Sequence, residues 1–117
     1  MRPTVLVVDD QAAFRAVARA LLESDGFVVV GEAGNGEEAL TAERELRPDV
    51  VLLDVRLPDR SGVDVARVMR EVPAPPHVVL ISTADYAHAV RSCGAQAFIA
   101  KASLTGAALR DALAGAA

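Results

Sequence analysis

The chain has 117 residues, a formal net charge of −4, and a composition that is 52% hydrophobic but only 3% aromatic. That length supports one domain with a real core, built from aliphatic side chains and alanine. The acidic balance and the lack of a basic run exclude a nucleic-acid-binding face on this chain, and no apolar run reaches the roughly 20 residues of a membrane helix. Cys93 is the only cysteine, which rules out an internal disulfide and suits a reducing compartment. Met1-Arg2-Pro3 runs straight into an apolar segment, with no room for a signal peptide. The expectation is a cytoplasmic protein that contacts neither membrane nor nucleic acid through this chain.

In chain order, Thr4–Val8 predicts a first strand. A helix over Ala12–Ser24 follows, with Phe14, Val17, Ala18 and Leu21 at helical spacing and Asp25-Gly26 as its stop. The second strand is expected at Phe27–Glu32. Asn35 and Glu38 then form a capping box for a helix bearing Ala39, Leu40, Glu43 and Leu46, which Pro48 closes. Val50–Leu53 is the third strand, and Leu57 to Gly62 a loop. Val65, Val68, Met69 and Val72 give a third helix its apolar stripe, broken by Pro73-Ala74-Pro75-Pro76. The fourth strand is His77–Ile81, the fourth helix Asp85–Ser92, the fifth strand Ala97–Ala100 and the last helix Leu104–Ala114. Strands alternating with helices imply right-handed crossovers, and so a parallel sheet covered on both faces.

Three strands end abruptly in charge: Asp9 and Asp10 after the first, Asp54 after the third, Lys101 after the fifth. Ligands of open parallel sheets bind at the carboxyl ends of the strands, so these groups converge on one edge. Two carboxylates about 4 Å apart at an effective dielectric near 20 repel by about 4 kcal/mol. A hard divalent cation relieves this, and Mg²⁺ fits, with Mn²⁺ or Ca²⁺ as possible substitutes. Either aspartate of the pair also suits a helix cap, but a cap does not require an acid from a second strand. An Asp54 held ionised beside a cation can attack phosphorus as a nucleophile. Lys101 can then meet the phosphoryl group as a point charge, with a hydroxyl from Ser82 or Thr83. His77 and His88 have no ligand partner at suitable spacing, and Cys93 reads as a small buried hydrophobe.

The ordered set VLVVDD, LLDVRLPDRSG, VVLIST and FIAK resembles the receiver domains of two-component response regulators, over the whole of residues 1–117. VVGEAGNGEEAL is similar to the LuxR/NarL-type branch, whose members usually carry a carboxyl-terminal helix-turn-helix. The resemblance implies a flavodoxin-like, doubly wound, five-stranded sheet in the order 2-1-3-4-5. It also implies Asp54 as phospho-acceptor, Asp10 as direct Mg²⁺ ligand, Asp9 acting largely through water, and the Arg56 backbone carbonyl completing the metal site. Lys101 would pair with the phosphoryl group, with Ser82 the switch hydroxyl and Thr83 its alternative, and Phe98 the mobile aromatic.

The function so implied is a self-catalysed, Mg²⁺-dependent transfer of a phosphoryl group from a sensor histidine kinase or phosphotransfer protein onto Asp54. A conformational switch follows, with a homodimer through the fourth helix, fifth strand and last helix as a possible outcome. Two alternatives stand beside it. One is a degenerate receiver acting only through protein contacts. The other is a small Mg²⁺-dependent aspartyl-phosphate phosphohydrolase, which should carry an acid at position 56, where this chain has Arg, and a cap. Ending at Ala117, the sequence suits either a stand-alone receiver or one cut from a longer regulator.

Overall fold

The computed structural model describes residues 2–115; Met1 and the last two alanines, and with them the expected chain start and end, lie outside the described residues. Five strands form one sheet: β1 (Thr4–Val8), β2 (Val28–Ala33), β3 (Val50–Asp54), β4 (His77–Ser82) and β5 (Ala97–Ala100). Every neighbouring pair is parallel and the order is β2-β1-β3-β4-β5, as the sequence implied. β3, in the middle, is buried along its whole length, which is why it reads as an unbroken apolar run.

Alternate side chains of the strands feed two separate cores. Val5, Val7, Val50, Leu52, Val79 and Ile81 point toward α1 (Ala12–Glu23) and α5 (Gly106–Ala114). Leu6, Val8, Val51, Leu53, Val78 and Leu80 point toward α2 (Gly36–Leu46), α3 (Gly62–Arg70) and α4 (Ala89–Cys93).

The helices depart from expectation in several ways. On α1 the inward residues are Ala18 and Leu22, while Val17 and Leu21 are exposed. Of the expected stripe, Phe14 and Ala18 do pack on the core, but Leu22 replaces Leu21 there and Val17 faces out, because alanines on several sides of this helix blur its period. On α3, Val65 and Met69 are buried but Val68 faces solvent, and the helix ends before Val72. α4 is shorter than expected, because Asp85 Oδ1 accepts a hydrogen bond from Ala87 N at 2.9 Å and bends the chain before a helix can start. A 3-10 turn, Lys101–Ser103, delays α5, whose cap is Thr105. The capping box of α2 forms with one shift: Asn35 accepts from Glu38 N, while the Glu38 carboxylate accepts from Gly34 N.

Register places the polar edge. Val8 pairs with Leu53, so Asp9 and Asp54 stand side by side one residue beyond; Ser82 pairs with Ala100, one residue before Lys101. The loop after β3 is fixed at both ends. Asp59 accepts hydrogen bonds from Gly36 N and Glu37 N at the start of α2, and the first of these does most to hold its carboxyl below the usual range. Gly62 N donates to Val55 O at 2.7 Å, and a Cβ on Gly62 would lie 2.1 Å from the Asp54 carbonyl oxygen. Only glycine lets α3 start this close to the strand. Gly62→Ala should cost about 2 kcal/mol in chemical denaturation, within the usual range for overpacking. It should also shift the backbone amide resonances of residues 54–56; a fully silent substitution would contradict the close packing described.

Candidate functional site

At the carboxyl edge of the sheet the described residues form a cleft of about 620 Å³. Asp10, Gln11, Phe14 and Val17 line one side, and Arg56, Ser82, Thr83 and Lys101 the other, with Asp54 at the floor. The oxygens of Asp9, Asp10 and Asp54 lie within 4.8 Å of one another. The three acids predicted at the ends of two strands are thus brought together.

Their environments differ. Asp9 is wholly buried; its Oδ1 accepts from Gln11 N at 2.8 Å, and Arg15 Nη1 donates to its carbonyl oxygen at 2.6 Å. Its Oδ2 is 2.5 Å from Lys101 Nζ but has no aligned hydrogen-bond donor, so this contact is a charge pair. Asp54 is 4% exposed; Oδ1 accepts from Arg56 N at 3.0 Å and Oδ2 from Lys101 Nζ at 3.1 Å. Asp10 is exposed. Lys101 is therefore shared by two buried carboxylates, and its ammonium lies 4.6 Å from the centre of the Phe14 ring.

Burial pushes the Asp54 carboxyl above its ordinary value of 3.8; the Arg56 amide and Lys101 oppose this, and Asp9 adds to it. For Lys101, burial works against the ammonium, but its contacts with Asp9 and Asp54 overcome that and raise its pKa. Burial thus raises Asp54 and the two acids raise Lys101, in a site whose net charge is negative. Three carboxylates and one ammonium leave two negative charges, which a divalent cation would cancel. The donor set is all oxygen, and Asp9 Oδ2 is a buried oxygen without a hydrogen bond, so the residues fit a hard ion such as Mg²⁺.

Ser82 ends β4, is 1% exposed, and its Oγ accepts from Ala84 N at 3.2 Å. Thr83 is exposed, yet both line the cleft. Phe98 is half-buried against the α2–α4 core and does not line the cleft. His77 and His88 are exposed, and Cys93 is buried at the end of α4. Sequence reading missed Phe14 beneath the ammonium and the Arg56 Nε to Tyr86 Oη contact at 3.4 Å. Phe14 had been placed only as a core residue, and no short-range signal joins Arg56 to a residue 30 positions away.

The family model of the response regulator receiver domain matches residues 5–114. The chain belongs to that family, a class of signalling domains in two-component systems. It is similar to the DNA-binding response regulator MtrA of Mycobacterium tuberculosis, at 46% identity over 85 residues that cover 73% of this chain and 37% of the relative. Among solved structures, the signal receiver domain of the response regulator NarL from Mycobacterium tuberculosis matches with a TM-score of 0.83 and 36% identity, over 96% of this chain and 97% of that one. A LuxR-family two-component response regulator from Aurantimonas matches with a TM-score of 0.87 and 28% identity, over 99% and 85%. The chain spans less than half the length of the curated relatives it matches. These likenesses favour neither the phosphohydrolase nor the interaction-only reading.

The raised Asp54 pKa has a signed consequence. A carboxyl whose folded pKa lies above its unfolded one makes stability fall as pH rises from the unfolded value through the folded value. Asp54→Asn removes that fall. The variant should gain stability over the parent near pH 7 without divalent ions, and the gain should shrink as pH drops below the ordinary aspartate value. Denaturant midpoints across pH check this; a gain that grows on acidification would contradict the burial argument.

Proposed function

We propose that this domain accepts a phosphoryl group on Asp54 from the phospho-histidine of a sensor kinase or phosphotransfer protein, and that the change of charge switches its outer face. The observation that carries this reading is the shared lysine: Asp54 Oδ2 and Asp9 Oδ2 both rest on Lys101 Nζ. Mg²⁺ held by Asp10, Asp54 and the Arg56 carbonyl, with Asp9 largely through water, would neutralise charge on the transferred group and align it with the acceptor. An oxygen of Asp54 forms the new bond to phosphorus while the donor's P–N bond breaks, and the imidazole leaves with its electron pair. Burial keeps the nucleophile desolvated, and the Arg56 amide fixes one of its oxygens.

Once Asp54 has become an acyl phosphate, its contact with Lys101 is lost, and the ammonium can turn to a phosphoryl oxygen. The hydroxyl of Ser82, or of Thr83 beside it, donates to another. Ser82 is buried where β4 meets β5, so its displacement disturbs the Ser82–Ala100 pairing and the neighbouring Leu80–Phe98 pair. Phe98 can then repack, and α4, only five residues long, is weakly anchored. The new free energy comes from bonds that exist only in the phosphorylated state. The same reading gives a receiver over residues 1–117 in the cytoplasm, with a homodimer through α4, β5 and α5 as one output. A DNA-binding module elsewhere in the full protein would be another.

Acetyl phosphate with Mg²⁺ should add one phosphoryl unit to the parent chain and none to Asp54→Asn, read by intact mass. Labelling of the variant at comparable yield would refute Asp54 as acceptor, and no labelling of the parent would favour an interaction-only receiver. Asp10→Asn should weaken Mg²⁺ binding by at least tenfold in a titration; unchanged affinity would remove Asp10 from the metal site. Beryllofluoride should alter hydrogen exchange chiefly within residues 82–104. Changes confined to α1–α3 would mean that the switch runs through another face.

A further inference from the structure

A second cavity, of about 870 Å³, lies at the opposite edge of the sheet, where the strands begin. That volume is in the range of small-molecule sites. Pro48, Pro73, Pro75, Pro76 and Leu113 give it rigid apolar walls, and the prolines present no backbone N–H. Glu43 also lines it. This glutamate stands on the inward stripe of α2, one turn beyond Ala39, where an apolar residue would be expected. It keeps 6% of its surface, and no ion pair reaches its carboxylate among the described residues. Its carboxylate oxygens are not among the buried oxygens that lack a partner, so they open onto the cavity as an accessible negative charge that a cationic head can reach.

The cavity also has unspent positive charge. Arg2, Arg44 and Arg47 line it, and none forms an ion pair among the described residues. The remaining acid, Asp49, is exposed and accepts hydrogen bonds on its Oδ2 from Thr4 N and Thr4 Oγ1. His77 is exposed at the margin. An inner anion and outer cations thus share one apolar slot, and the arginines do not neutralise the glutamate.

We propose that this cavity binds a small zwitterion. Its amidinium, guanidinium or ammonium head pairs with Glu43, its short body lies along the prolines, and its carboxylate or phosphate meets the arginines. A simple cation gains Glu43 but is opposed by the three guanidinium groups, so it binds more weakly than a zwitterion, and a simple anion is opposed by Glu43. Bidentate pairing of a planar head with the carboxylate adds orientation as well as attraction. The rigid walls lose little freedom on binding. Glu43 takes no part in the acidic cleft, so this inference stands apart from phosphoryl acceptance.

The probe is 4-amidinobenzoate, titrated into the whole chain and followed by amide resonances, with benzamidine and benzoate as its two halves. The expected result is saturable one-to-one binding centred on residues 43–48 and 72–77, at least tenfold tighter than either half. Glu43→Gln should lower the affinity for 4-amidinobenzoate at least tenfold and abolish binding of benzamidine. Arg47→Gln, at an exposed position, should weaken 4-amidinobenzoate but not benzamidine, which keeps the test open if Glu43→Gln perturbs α2. Absence of saturable binding, equal affinity for the intact probe and its halves, undiminished binding to Glu43→Gln, or shifts centred on Asp54 would each overturn the proposal.

Discussion

The ammonium of Lys101 sits between two buried carboxylates, 2.5 Å from Asp9 and 3.1 Å from Asp54, and the rest of the acidic edge depends on it. Without it, Asp9 and Asp54 would face each other across adjacent strands with only backbone amides to offset their repulsion. Charges of one sign this close in a partly dry site are costly, and removing a buried partner typically destabilises by about 3–5 kcal/mol. The lysine does not satisfy the site completely. Asp10 adds a third carboxylate from the solvent side, and Asp9 Oδ2 lacks an aligned donor. The unmodified domain is therefore held together but remains short of positive charge, a setting that suits a divalent cation.

The fold delivers this arrangement through strand order alone. β1 and β3 are neighbours only because the chain crosses over twice, and their shared register puts Asp9 beside Asp54. β5 lies two strands away from β3, and the long side chain of Lys101 spans that gap over the Phe14 ring. Gly62 allows α3 to start against the Asp54–Val55 backbone, and Asp59 ties the same loop to α2. The backbone on either side of Asp54 is thereby fixed in place. The other side of the site is less constrained: Ser82 leads into bends and a five-residue helix.

The sheet was legible because each strand carries a compact aliphatic run, and the acids because they interrupt those runs at the strand ends. Helix faces were less legible. α1 and α3 mix alanine and valine on several sides, so period alone put Val17, Leu21 and Val68 inside when they are exposed. The start of α4 was hidden because an aspartate that can cap a helix can equally bend the chain, and at Asp85 the bend prevails. Long-range side-chain choices left no trace in the sequence. Nothing local shows that Lys101 serves both acids or that Arg56 reaches Tyr86.

The central claim, that Lys101 and Asp54 are energetically joined in the unmodified domain, is tested most directly by a double-mutant cycle. Denaturation free energies would be measured without divalent ions for the parent, Lys101→Met, Asp54→Asn and the double variant. The account predicts a coupling of about 1–3 kcal/mol, because removing Asp54 relieves part of the cost of losing the lysine. Additivity within about 0.5 kcal/mol would show that the two side chains act independently, and would contradict it.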